Sequence, residues 1–427
     1  MKRRNFINSI GALFGGTFLL NTKLSSAPNR PFYEQIITAP DDVALWKIVK
    51  QQFNFPKDYV YLNTGGIGAV PALVMNEINN RMNKAQIQPR AGHHENSWNS
   101  IKEQCTGLLS PECKKEELAL VSSATEGINI IINGLPLRKN DEVITSLHEH
   151  AALNIPLLNR LQRDGIRIKT FNPDLMEGLN NVNRIESLIT KRTKLIFVSH
   201  ITCTTGQLFP MKEIGQLAKD KRIWFAVDGA QAVGAMPLDI TDSNIDFYTF
   251  SGHKWILGPK RTGVLYVKEK LLDTLKPVTV GAYSDDSYDI LKKELKFQPT
   301  AQRYEYGTQN DTLFFGLQRA LEFIKTIGLE RIYAHNRELA EKFLSGLKEI
   351  PNVEIFSPTE KKYRTSIISF RIKDMHFRKI GLFLSKEKNI RIRIVPEANL
   401  NGIRVSFHIY NNEDDVERIL KELKNLT

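Results

Sequence analysis

From Glu117 onward, short apolar runs alternate with longer stretches whose apolar positions recur at helical spacing. The runs at 118–121, 142–145, 166–171, 195–199, 223–227, 247–250 and 264–267 are four to six residues long and mostly apolar, with 142–145 and 166–171 the more polar. The amphipathic stretches 126–134, 154–164 and 211–220 lie between several of them. Such a pattern predicts an α/β fold, with a mostly parallel seven-stranded sheet flanked by helices on both faces. Residues 28–60 read as an arm with one amphipathic helix carrying Leu45, Ile48, Val49 and Phe53, and 61–300 as the large domain. Residues 284–300 are polar and irregular, which predicts a loop. Residues 301–427 form a smaller α+β C-terminal domain, with helices at 313–327, 332–350, 378–386 and 413–426 and strands at 366–372, 391–395 and 404–407. No internal repeat or low-complexity tract occurs.

Residues 1–27 stand apart. Arg3-Arg4 precedes an apolar run from Ile10 to Leu20 diluted by Gly11, Gly15 and Gly16, and then come Ser25, Ser26 and Ala27. The segment resembles a twin-arginine export signal and is short for a membrane-spanning helix, which points to a periplasmic protein. Because Pro28 spoils one cleavage point, an uncleaved membrane anchor is the alternative; membrane contact is expected only through this segment or the twin-arginine export machinery. The net charge of +12 arises from 59 basic residues scattered among 47 acidic ones. With no dense basic tract, the charge favours small anionic substrates over nucleic acid. Three cysteines (Cys105, Cys113 and Cys203) build no disulfide framework and show no metal-ligand spacing. His93-His94-Glu95 reads as a polar loop, and no metal site is expected.

Two apolar strands deliver the candidate chemistry. One ends at Asp228-Gly229-Ala230-Gln231, the other at Ser251-Gly252-His253-Lys254. A lysine amine able to form an imine, with a carboxylate able to keep a pyridine nitrogen protonated, suits pyridoxal 5'-phosphate (PLP). Asp228 lies at the C-terminal end of a parallel strand, where open α/β sheets present ligand groups. Ser122-Ser123-Ala124-Thr125-Glu126-Gly127 joins a strand to a helix, so Ala124 and Thr125 can offer donors to a phosphate. An ordinary N-cap role for Thr125 stays open.

Together these motifs resemble the class V aminotransferase group of fold-type I PLP enzymes, which includes cysteine desulfurases, isopenicillin N epimerase-like proteins and kynureninase. The resemblance runs from about residue 58 to the end. It implies that Lys254 is the Schiff-base lysine, that Asp228 pairs with the pyridinium nitrogen, and that Gln231 bonds the ring hydroxyl. His150, in Glu149-His150-Ala151, would stack on the ring. Ala124, Thr125, Ser251 and His253 would hold the phosphate, and Gly307-Thr308 would reach the phosphate of a partner subunit, completing the site only in a homodimer. Arg404, in Ile403-Arg404-Val405-Ser406-Phe407, matches the arginine that clamps the α-carboxylate of an amino-acid substrate, a task suited to the guanidinium fork. Arg391 and Arg393 are rivals for that role.

The chain departs from the desulfurase pattern in three places. No cysteine follows Cys203, so the loop cysteine of persulfide chemistry is missing. Cys203 itself stands where desulfurases carry an asparagine, and reads as packing. The loop Gly258-Pro259-Lys260-Arg261-Thr262-Gly263 has one residue more than usual, with Arg261 where a glycine is common. The expected activity is removal of a substrate Cα proton by Lys254, leading to amine transfer or to epimerisation or racemisation. The Tyr61-Leu62-Asn63-Thr64-Gly65-Gly66 segment and the missing cysteine favour the epimerase-like branch. A β-eliminating lyase is the alternative, and a non-catalytic ligand-binding protein on the same fold is the rival from another class.

Overall fold

Seven strands form the main sheet: β1 (Leu118–Val121), β2 (Glu142–Ser146), β3 (Arg167–Phe171), β4 (Thr193–Ser199), β5 (Trp224–Asp228), β6 (Phe247–Ser251) and β7 (Gly263–Val267). Their order is β1-β7-β6-β5-β4-β2-β3, and only β7 runs against the others. The computed structural model describes residues 30–89, 93 and 95–426. The expected export segment, 1–27, lies outside the described residues.

The apolar runs are continuous because the central strands are covered on both faces. Leu120, Ile144, Ile196, Val198, Phe225, Val227, Tyr248 and Phe250 point into one core. The intervening Ala119, Val121, Val143, Leu195, Phe197, Ala226 and Phe247 point into another. The period-2 pleat thus divides each strand between two helical layers. Gly127 lets the helix Ala124–Gly134 approach the sheet: a Cβ there would lie 2.1 Å from Thr249 Oγ1. The same helix ends on Arg160, whose guanidinium donates to the carbonyls of Ile132, Asn133, Leu135 and Leu137 at 2.8–3.3 Å. Those acceptors would otherwise be orphaned at a buried helix end.

The smaller sheet is antiparallel, in the order Val353–Ile355, Ile367–Ile372, Gly402–Ser406, Arg393–Val395. The strand expected at 391–395 is broken at Ile392. Its first part, Ile390–Arg391, pairs with Val60–Tyr61 instead. Val60 and Leu62 accordingly bury in the small-sheet core with Phe343, Phe370 and Phe407. The helix Asp311–Ile327, within 301–427, sends Phe314, Leu317, Leu321 and Ile324 into the core of the main sheet. The helix expected at 378–386 is Phe377–Leu382, continued by a π-turn over Phe383–Glu387.

Residues 284–300 are not a loop. Asp285–Asp289 and Glu294–Phe297 form an antiparallel hairpin, with Tyr288, Ile290, Leu291 and Leu295 exposed. Its strands bury no face, so the alternation that signals a strand is absent. The helices Ala72–Ile87 and Glu95–Leu109 are not predicted either; both are rich in Asn and other polar residues, and their apolar stripes are thin.

Candidate active site

The C-terminal ends of β4, β5 and β6 place Ser199, Asp228 and Thr249 side by side in register. Asp228 Oδ1 accepts from the Ala230 amide at 2.9 Å, and the Asp228 carbonyl accepts from His200 N at 2.9 Å. Gly229 must be glycine, because a Cβ would lie 2.1 Å from the Tyr248 ring. Tyr248 in turn shares a 2.9 Å hydrogen bond with His200 Nδ1.

Lys254 follows β6. Its amine makes no hydrogen bond or ion pair among the described residues. Burial pushes its pKa down, Asp228 and Cys203 oppose that, and Arg404 and Arg393 push it further down. The result is an amine with an accessible neutral form, facing the field of Asp228. The 63–68 turn lies against this segment: Gly68 N donates to His253 O at 2.8 Å, and a Cβ on Gly68 would strike Lys254 O at 2.1 Å. Gln231 is fixed at both ends, donating to Gly65 O and accepting from Trp255 Nε1, each at 2.8 Å.

Of the expected phosphate donors, Ala124, Thr125 and Ser251 meet at one helix N-terminus. Ser251 Oγ accepts from the Ala124 amide at 2.8 Å, leaving its own hydroxyl proton free to donate. The N-cap is Ser123, whose side chain accepts from Glu126 N, so the N-cap alternative for Thr125 does not hold. Thr125 is exposed in the first turn. His253 Nδ1 is buried and has no partner among the described residues. Thr308 is exposed and makes no bond to this group; its neighbour Gly307 (φ +63°) donates to Ala282 O.

His150 caps the helix Ala151–Asp164, its Nδ1 accepting from Ala152 N at 3.1 Å. The ring is exposed, and the charges of Lys254 and Asp228 both act on it. Beneath it the buried Glu149 accepts from Ser146 Oγ at 2.6 Å and from Ser199 Oγ. Burial, reinforced by the Asp228 charge, pushes the Glu149 carboxyl up to about 7. A raised carboxyl pKa means that the folded protein holds a proton the unfolded chain has released. The stability it brings is complete below about pH 4.5 and is lost as pH rises through 7. Glu149→Gln should therefore remove a fall in cofactor-free melting temperature between about pH 5 and pH 8. Parallel melting curves for variant and wild type across that range would refute it.

Arg404 is 1% exposed, as deeply buried as Glu149. Nη1 donates to Cys203 O at 2.7 Å and Nη2 to Asn63 Oδ1 at 2.9 Å; Nε is buried and unpartnered. No carboxylate pairs with it among the described residues. Burial, then the Arg393 charge, lowers its pKa to about 9. Its rival Arg393, opposite it in strand register, is already paired with Glu397, and Arg391 is exposed. Of the three arginines, Arg404 alone is both buried and lacking an acidic partner among the described residues. Ser406, on the same strand face, accepts from Gly65 N at 3.0 Å.

Several participants are not singled out by the sequence: Asn63, Ser406, Trp255 and Glu149. Alternation along Ile403-Arg404-Val405-Ser406-Phe407 was the available signal for Ser406. Cys203 packs as expected; burial raises its thiol pKa. His93 departs from the polar-loop reading. Its ring stacks on Tyr283, and Nε2 lies 2.9 Å from Glu305 Oε2, which Lys102 neutralises.

A half-buried amine unpaired among the described residues, a carboxylate at a strand end, a helix N-terminus and an orphaned imidazole nitrogen together fit PLP. Lys254 would hold the aldehyde carbon, Asp228 the ring nitrogen, and Ser251, His253 and the Ala124–Thr125 turn the phosphate.

Comparison with known proteins bears on the family and the fold. The aminotransferase class-V family model matches residues 60–419. A probable cysteine desulfurase of Borreliella burgdorferi is 30% identical over 359 residues, covering 79% of this chain and 84% of that protein. The apo cysteine desulfurase of Thermococcus onnurineus NA1 has a TM-score of 0.79 at 24% identity, covering 89% of this chain and 97% of that one. The cystine C-S lyase C-DES, solved with cysteine persulfide, gives 0.80 at 24% identity, covering 86% and 98%. At these identities the two structures show the shared fold alone. From the match over residues 60–419 and the sheet that carries it, the chain belongs to the aminotransferase class-V family of PLP-dependent enzymes, with the fold-type I architecture.

Proposed function

We propose that the protein is a PLP-dependent lyase that expels a sulfur substituent from Cβ of an amino acid. One observation carries the reading: among the described residues a buried arginine without an acidic partner, Arg404, shares a site with an unpaired amine, Lys254. The names of the relatives support lyase chemistry over the amine transfer or epimerisation that the sequence favoured.

In this reading Arg404 grips the substrate α-carboxylate, held in aim by Asn63 and the Cys203 carbonyl. Bound PLP supplies an electron sink conjugated to Cα. Asp228 keeps the ring nitrogen positive, and His150 covers the open face. Lys254, with its pKa lowered by burial, takes the Cα proton. The Cβ–S bond then breaks and its electron pair leaves with sulfur. The leaving sulfur is not captured by a loop cysteine, since none follows Cys203, and the Cys203 thiol is buried with a raised pKa.

The test is a panel of L-cysteine, L-cystine and other amino acids with and without 2-oxo acids. Pyruvate, ammonia and a sulfur product should form without any oxo acid. Amine transfer that depends on an oxo acid, or production of the D-enantiomer, would sink the reading.

We further propose a homodimer. The exposed Thr308 and the exposed apolar hairpin tip at Ile290 and Leu291 support it, as unshielded surface. Export to the periplasm is proposed on residues 1–27 alone; among the described residues no helix is long and apolar enough to cross a membrane.

A further inference from the structure

A cavity of about 380 Å³ adjoins the α-carboxylate site. It is lined by Asn63, by Arg378, Arg391 and Arg393, and by apolar Leu382, Ile392 and Ile394. Asn63 belongs to both spaces, because its Oδ1 accepts from Arg404 Nη2. Arg393 links them too. It lies opposite Arg404 in register, and its charge acts on Lys254 and His150.

The charges in this cavity do not balance. Arg393 is paired with Glu397, yet its Nη1 is buried with no hydrogen-bond partner among the described residues. Arg378 and Arg391 make no ion pair among the described residues and are exposed. Three guanidiniums therefore share one carboxylate. Like charges converging on a cleft raise the local concentration of anions, and a bound anion relieves their repulsion. The isoleucines and Leu382 offer apolar contact to a short aliphatic or thioether chain. The volume lies within the small-molecule range, about 300–1,000 Å³, and exceeds what the side chain of cysteine would fill.

We infer that this cavity is a subsite for a second carboxylate carried on the leaving group, so that the preferred substrates are dicarboxylic S-substituted cysteines. The inference rests on the lyase reading. For S-carboxymethyl-L-cysteine, the Cα proton passes to Lys254 and the Cβ–S bond breaks with its electron pair on sulfur. Water then hydrolyses the unsaturated amine product. Pyruvate, ammonia and mercaptoacetate result, with no oxidant or reductant consumed.

The test compares S-carboxymethyl-L-cysteine with its uncharged isostere, S-carbamoylmethyl-L-cysteine. Calorimetric titration uses PLP-loaded Lys254→Ala protein, in which turnover does not interfere. The carboxylate ligand should bind about 10- to 100-fold tighter, as expected for charge-assisted bonds to guanidinium. Adding Arg378→Gln and Arg391→Gln should bring the two ligands within about threefold of each other. Both arginines are exposed, so the fold should survive, and a melting curve checks it. Equal affinities in the parent protein would overturn the inference, as would a preference that survives both substitutions. Wild-type turnover is read separately. Pyruvate from neither compound would sink the lyase reading, while the binding ratio still judges the subsite.

Discussion

Lys254→Ala should lose turnover by at least about 10⁴-fold while still binding PLP noncovalently. The expectation follows from the state of the amine. It has no partner to release among the described residues, burial favours its neutral form, and Asp228 keeps a counter-charge within range. Removing it takes away both the covalent attachment and the base at Cα. The cofactor contacts from Asp228, Ser251 and the helix N-terminus remain. Lys254→Arg should be equally inactive, because guanidinium keeps the charge but cannot give up its proton. Borohydride should fix the cofactor to wild type and to neither variant. Turnover within tenfold of wild type in either variant would refute the assignment.

Arg404→Gln should lower kcat/KM by about 10²- to 10³-fold, mostly through KM, the range for removing one partner of a buried charge pair. Arg404→Lys should not rescue it, because a point charge on a flexible stem cannot match both carboxylate oxygens in plane. The same substitution should leave the substrate-free protein close to wild type in melting temperature. Wild type buries a cation with no acidic partner among the described residues, and the Gln variant's relief of that cost offsets two lost hydrogen bonds, to Cys203 O and Asn63 Oδ1. A purely structural arginine would behave in the opposite way, with a large loss of stability and a proportionate loss of activity.

Two of the residues legible from sequence, Asp228 and Lys254, share a property: each sits where a short apolar run ends. Asp228 ends β5 and Lys254 follows β6, so strand pattern alone places them at the ligand edge of the sheet. Arg404 is legible for a related reason, being a charge at the centre of an apolar strand, where only a paired or functional ion is tolerated. Nothing local announced Asn63, which meets Arg404 across 341 residues of chain. The resemblance favoured Arg404, but no local pattern ruled out its rivals Arg391 and Arg393. The difference lies in Glu397, which takes Arg393 and leaves Arg404 free.

By itself, then, the amino-acid order determined the layered α/β architecture, the lysine and aspartate pair, and the strand arginine, because burial periodicity is written over a few consecutive residues. Only the tertiary structure decided which arginine is uncompensated, that Val60 and Leu62 serve the small-sheet core, that Glu149 lies buried beside Asp228, and that three guanidiniums share one cavity. Those are matters of charge balance and close contact between distant segments. They depend on which groups exclude water together, and no local pattern records that.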